Sequence, residues 1–92
     1  MTDKHIQNRI VEKLLRNRII GNHKIRVDTA VNRYLPSHEQ GRGKELIREM
    51  IRDPTGPIEG YGGSRDNIRL TSKEDAVEFL KSNDGNVPFG FD

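Results

Sequence analysis

Lys44, Arg48 and Arg52 recur at i, i+4 and i+8, a spacing that sets three cations along one flank of a helix within reach of phosphates or base edges. Gln40 and Arg42 stand at the N-terminal end of the same segment, where backbone amides and the helix dipole favour a phosphate. An arginine there could also read guanine with its two-pronged donor fork. Further along, Arg65 and Arg69 lie in Gly60-Tyr-Gly-Gly-Ser-Arg-Asp-Asn-Ile-Arg69, a glycine-rich stretch with Arg65 near its tip and Tyr61 able to stack or hydrogen-bond. These seven, Gln40, Arg42, Lys44, Arg48, Arg52, Arg65 and Arg69, are the candidate nucleic-acid contacts. The bland alternative is on the same surfaces. Glu45 and Glu49 also point outward and can engage Arg48 and Arg52 in intrahelical ion pairs worth about 0.3 kcal/mol each. Glu59 and Asp66 offset the loop arginines, and Gly41 and Gly43 each raise the cost of extending the helix toward its start by roughly 1 kcal/mol.

Catalytic patterns are missing. The three histidines, His5, His23 and His38, form neither HxxxH nor HExxH, and surface positions are the expectation for all of them. His38-Glu39 is no catalytic pair, because adjacent residues on a turn or helix do not face each other. Gln40-Gly-Arg-Gly-Lys44-Glu45 lacks the first glycine of a phosphate-binding loop and the Ser/Thr after its lysine. With no cysteine there is no thiol nucleophile, disulfide or thiolate metal site. The expectation is a binding protein, not an enzyme, with no metal and no cofactor.

At 92 residues the chain is expected to form one domain over residues 1–85 with a C-terminal tail at 86–92. Only 32% of residues are hydrophobic and 33% are charged, so the core must come from Ile, Leu and Val on narrow helix stripes. No apolar run approaches the roughly 20 residues of a membrane span, and the start lacks the order of a signal peptide, so a soluble cytoplasmic protein is expected. The net charge of +2 hides an asymmetry: residues 1–52 carry twelve Lys/Arg against six Asp/Glu, a net +6, while residues 53–92 carry four against eight, a net −4. A one-sided basic surface attracts a polyanion through its field and through counterion release.

The elements that must carry these residues follow from periodicity. Ile6, Ile10, Val11, Leu14 and Leu15 form one face of a first helix, which Gly21-Asn22 is expected to stop. Lys24 to Val27 alternates as a short strand, and Asp28 stands where an N-cap belongs for a helix reaching Leu35. Pro36 ends that helix and Ser37 to Gly43 supplies a turn. Leu46, Ile47, Met50 and Ile51 give a third helix its apolar face. Residues 57–71 read as a β-hairpin, with Ile68 and Leu70 on its buried side. Ser72 and Asp75 match capping-box spacing ahead of a fourth helix with Ala76, Val77, Phe79 and Leu80, closed by Asn83-Asp84-Gly85. Phe89 and Phe91 in the tail either fold back on the domain or dock on a partner.

The fold class expected is mainly α with a small β-hairpin, in the order helix, strand, helix, helix, hairpin, helix. Over about residues 6–80 this order resembles the winged helix-turn-helix family, with an added C-terminal helix. The resemblance implies that Asp28 to Leu35 is a supporting helix, that about Gln40 to Arg52 is a recognition helix for the major groove, and that the hairpin is a wing on the DNA backbone or minor groove. The function so implied is double-stranded DNA binding in transcription regulation, sequence-specific or architectural, by a homodimer. Two rivals use the same surfaces: a protein-protein interaction module, and an RNA-binding or ribosome-associated protein.

Overall fold

The computed structural model describes residues 3–63 and 66–91. Among them are four helices and one three-stranded antiparallel sheet: α1 (Asp3–Arg16), β1 (Ile25–Arg26), α2 (Val27–Tyr34), α3 (Ser37–Arg52), β2 (Ile58–Gly60), a 3-10 turn (Tyr61–Gly63), β3 (Asn67–Leu70) and α4 (Lys73–Ser82).

The apolar stripe of α1 is the centre of the core. Ile6, Ile10, Val11, Leu14 and Leu15 are all buried, and the helix packs against α2, α3, α4 and β3. Because α1 touches every layer, it can bury a complete stripe although the chain is poor in hydrophobic residues. The sheet order is β1-β3-β2, with Ile25 opposite Ile68 and Ile58 opposite Leu70. Those four isoleucine and leucine side chains face the helices, so Arg26, Glu59, Asn67 and Arg69 fall on the other face by the period-two rule.

The end of α1 departs from expectation. The helix stops at Arg16, and its C-terminus is closed by Arg18 in the left-handed region (φ 56°), not by Gly21-Asn22. Arg18 N–H donates to Leu15 O and Ile19 N–H to Leu14 O, each at 3.0 Å, the paired bonds of a Schellman motif. Turning the chain there rather than at Gly21 lets Ile20 bridge to Leu70, with Leu70 N–H donating to Ile19 O at 2.8 Å. The same motif recurs after α4, where Asp84 takes φ 57° and Gly85 N–H donates to Leu80 O at 2.7 Å.

Two further expectations are corrected. Asp28 is not an N-cap: α2 begins at Val27, Arg26 occupies the cap position without a side-chain bond, and the Asp28 carboxylate turns to Lys44 instead. Ser37 to Gly43 is not a turn, because α3 starts at Ser37 immediately after Pro36. The glycine penalty at residue 43 is offset by packing. Gly43 is buried in α3, and a Cβ there would meet Leu35 Cδ1 and, at 3.4 Å, Val31 Cγ1. Its missing side chain is what allows α2 and α3 to approach so closely.

The other end of the molecule follows the sequence. Ser72 Oγ accepts from Asp75 N–H at 3.0 Å and starts α4. Ala76 and Leu80 are buried, while Val77 and Phe79 sit half-buried against the core. Gly62 and Gly63, with φ 62° and 81°, make the left-handed turn beyond β2. In the tail, Phe91 folds back onto the core with the Arg18 guanidinium 4.9 Å from its ring centre, whereas Phe89 is fully exposed.

Candidate nucleic-acid interface

The outward flank of α3 divides into two electrostatic halves. In the N-terminal half Arg42 is engaged by three carboxylates. Its Nε and Nη2 donate to the two oxygens of Asp3 at 3.0 and 2.6 Å, and its Nη1 lies 3.1 Å from Glu45 and 3.5 Å from Glu49. The hydrogen bond from Arg42 holds the Asp3 carboxyl below the usual carboxylate range, and the same bond raises Arg42 further. Residues 42, 45 and 49 share one stripe of the helix, so Arg42 captures both glutamates. The pairing of Glu45 and Glu49 with Arg48 and Arg52 expected from sequence is therefore absent among the described residues.

Gln40 is also turned inward. Its Nε2 donates to Leu35 O at 3.2 Å, satisfying a carbonyl at the C-terminal end of α2. Next to it, Glu39 is buried in the first turn of α3, 2% exposed, and neither carboxylate oxygen accepts a hydrogen bond among the described residues. His38 Nε2 does come within 3.7 Å of Glu39, contrary to the expectation that the two would not face each other. The His38 ring stays in solvent, while the Glu39 side chain is buried.

Lys44 reaches back to α2, with Nζ 2.8 Å from Asp28 Oδ1. The hydrogen bond from Lys44, and secondarily the fields of Lys44, Arg26 and Arg48, keep the Asp28 carboxyl below its ordinary value. Arg26, Asp28, Lys44 and Arg48 are thus neighbours in one charged surface at the junction of β1, α2 and α3.

Arg48 and Arg52 behave differently. Among the described residues neither makes an ion pair within 4.0 Å. Both line a groove of about 440 Å³ with Ile51, and its other wall is Asp66, in the loop just before β3. That wall is tied down by the main chain, since Val27 N–H donates to Asp66 O at 2.8 Å.

On the hairpin, Arg69 is held by its own fold. Its Nε donates to Glu59 Oε1 at 2.8 Å, its Nη1 donates to the Gly21 carbonyl, and its guanidinium carbon lies 5.2 Å from the centre of the Tyr61 ring. Lys24 Nζ approaches the same ring at 5.2 Å. Arg65 lies outside the described residues. Of the seven candidates, the structure places Arg48 and Arg52 together on a groove, sets Lys44 and Arg42 in ion pairs, and gives Gln40 and Arg69 intramolecular tasks. Lys24 meets Tyr61 beside Arg69, and the field of Arg26 reaches Asp28 beside Lys44; the alternation of Lys24-Ile25-Arg26-Val27 already put both cations on one strand face.

No helix among the described residues is long and apolar enough to cross a membrane, and none of them form a cluster of three or more His, Asp or Glu able to hold a metal ion. Comparison with protein-family models, with curated proteins and with solved structures finds no match for this chain.

Proposed function

We propose that the protein binds double-stranded DNA through the C-terminal half of α3 and the adjoining hairpin, in a transcription-regulatory role. The observation that carries this reading is the pair Arg48 and Arg52, one helical turn apart, without ion-pair partners among the described residues and facing a groove walled by Asp66. A cation that no carboxylate of the described residues reaches within 4.0 Å is the kind that gains from meeting a phosphate. The element order and the β1-β3-β2 strand order support the winged helix-turn-helix resemblance, in which α3 would enter the major groove and the hairpin would lie on the backbone. The basic N-terminal half of the chain adds the long-range attraction.

The proposal places the contact later on α3 than the spacing suggests. Gln40 and Arg42 leave the contact set, Arg48 and Arg52 become its centre, and Lys44 flanks them. Titration of a duplex at low salt tests it: binding is expected for the native chain and an at least tenfold loss for Arg48→Glu, whereas unchanged affinity in that variant rejects the assignment.

A second reading has its own observation. Asp3, Glu45 and Glu49 around the single Arg42 make the N-terminal flank of α3 acidic overall, which suits a basic protein partner better than a phosphate backbone. A partner captured on that flank would be displaced by Glu45→Lys and Glu49→Lys and be indifferent to Arg52→Ala.

A further inference from the structure

A second groove, of about 410 Å³, lies where the C-terminal end of α3 meets the loop 53–57, and Gln7 of α1 and Phe79 of α4 also line it. Its apolar part is Met50, Pro57 and the half-buried ring of Phe79. Its charged part is Glu49 and Asp53, and no cation lines it among the described residues. The loop that walls it is fixed by the main chain. Gly56 N–H donates to Asp53 O at 2.9 Å, and Thr71 N–H donates to Pro57 O at 2.9 Å. A Cβ on residue 56 would come within 2.6 Å of Met50 O, so the loop is seated directly on the end of α3. Both carboxylates keep acceptor capacity. Glu49 lies 3.5 Å from an Arg42 that Asp3 and Glu45 already hold at 2.6 and 3.1 Å, and Asp53 uses one oxygen, Oδ1, for both donors of Thr55. The Thr55 amide and hydroxyl hold the Asp53 carboxyl below the usual carboxylate range, so it is charged at neutral pH.

An aromatic ring beside two carboxylates is a combination that a guanidinium satisfies at once: its flat, weakly hydrated face stacks on the ring, and its donor fork engages carboxylate oxygens. An ammonium is more strongly hydrated and gains less from the ring. We infer that this groove seats an arginine side chain of a basic protein segment, with the guanidinium on Glu49 and Asp53 against Phe79 and the methylene stem over Met50 and Pro57. The inference is separate from duplex binding through Arg48 and Arg52. It rests on the second reading, in which the acidic flank of α3 meets a basic partner, and deepens it by naming the side chain and its seat. Asp3 and Glu45 on that flank attract the rest of the segment.

The test is a titration of the whole chain with a blocked peptide of arginines separated by glycines, at neutral pH and low salt, followed by amide chemical shifts. The same peptide with citrulline, the uncharged isostere, or with lysine in place of arginine serves as comparison. The arginine peptide is expected to bind at least about tenfold more tightly than the citrulline peptide and about threefold more tightly than the lysine peptide, with shifts centred on residues 49–57 and 79. The double variant Glu49→Gln, Asp53→Asn is expected to weaken it about tenfold, and Phe79→Leu about threefold. Both carboxylates are exposed, so the double variant keeps the fold, and its amide spectrum away from the groove is expected to stay native. Arg48→Ala is expected to leave peptide affinity unchanged. Binding no tighter than that of the citrulline peptide, a lysine peptide bound as tightly, shifts centred elsewhere, or native affinity in the double variant overturns the inference. Loss of the peptide in Glu45→Lys beside native affinity in the double variant rejects the groove and keeps the acidic flank as a partner surface. No binding of either cationic peptide rejects both.

Discussion

Arg42 grips Asp3 through two hydrogen bonds, at 3.0 and 2.6 Å, and so joins the start of α1 to the middle of α3 across 39 residues of sequence. The fork-to-carboxylate geometry engages two donors of the guanidinium, while Glu45 and Glu49 face a third. An arginine so placed is part of the scaffold, and the cations available to a partner lie one to three turns further along the helix.

The close approach of α2 and α3 depends on Gly43. Gly43→Val is expected to destabilise the fold by about 2 kcal/mol, because branched carbons would collide with Leu35 and Val31. Chemical denaturation with urea checks this, and a variant as stable as the native chain would mean that the helices separate freely. Gly41, with open space around its Cβ position, is the control: Gly41→Ala is expected to stabilise by about 0.5 to 1 kcal/mol through helix propensity.

The left-handed Asp84 is a second site where the chain carries strain. Asp84→Gly is expected to raise stability by about 1 kcal/mol, since glycine adopts φ 57° without a Cβ clash. The loss of the exposed Lys4 contact at 3.3 Å subtracts little from that. A lower urea midpoint in this variant would show that the ion pair outweighs the backbone term.

Stability should fall at both ends of the pH scale for identifiable reasons. Asp3, Asp28 and Asp53 are held below the ordinary value of 3.8 by Arg42, Lys44 and the Thr55 amide and hydroxyl respectively. A depressed carboxyl stabilises the fold above its unfolded value, and that contribution disappears as pH drops from about 4 through the folded values. Tyr34 is the converse case. Burial raises its phenol above 10.0, so its contribution is intact below that value and is lost as pH rises through the folded one. In urea melts against pH, Asp3→Asn should flatten the acid limb and Tyr34→Phe the alkaline limb. An unaltered acid limb in Asp3→Asn would detach acid unfolding from the Arg42 pair.

The two tail phenylalanines should separate cleanly. Phe91→Ala is expected to cost about 1 kcal/mol by uncovering the core and removing the contact with Arg18, while Phe89→Ala should stay within about 0.5 kcal/mol of the native chain. Equal losses would mean that Phe89 also packs.

What could be read from the sequence was local. The α1 stripe from Ile6 to Leu15, the Ile68/Leu70 alternation and the Ser72 cap depend on neighbours within a few residues, and each appears where periodicity or capping chemistry puts it. The start of α3 was illegible because Gly41 and Gly43 weaken helix propensity, whereas the close packing that compensates comes from Leu35 and Val31 on another helix. Arg18 carries no helix-end signal of its own, because an arginine takes the left-handed conformation there only with the bridge of Ile20 to Leu70, a contact far along the chain. Within the site, the spacing of Lys44, Arg48 and Arg52 was visible. Their fates were not: Asp28 and Asp3 are distant in sequence from Lys44 and Arg42, and only the folded chain shows which cations they occupy.

The central claim is that Arg48 and Arg52 meet phosphates while Arg42 does not. Duplex affinity measured between about 50 and 200 mM salt tests this, because the slope of log affinity against log salt counts neutralised phosphates at about 0.9 each. The double variant Arg48→Ala, Arg52→Ala is expected to flatten the slope by about two and weaken binding at every salt concentration, with Arg42→Ala retaining the native slope. No duplex binding at the lowest salt, or a native slope in the double variant with a flattened one in Arg42→Ala, would contradict it.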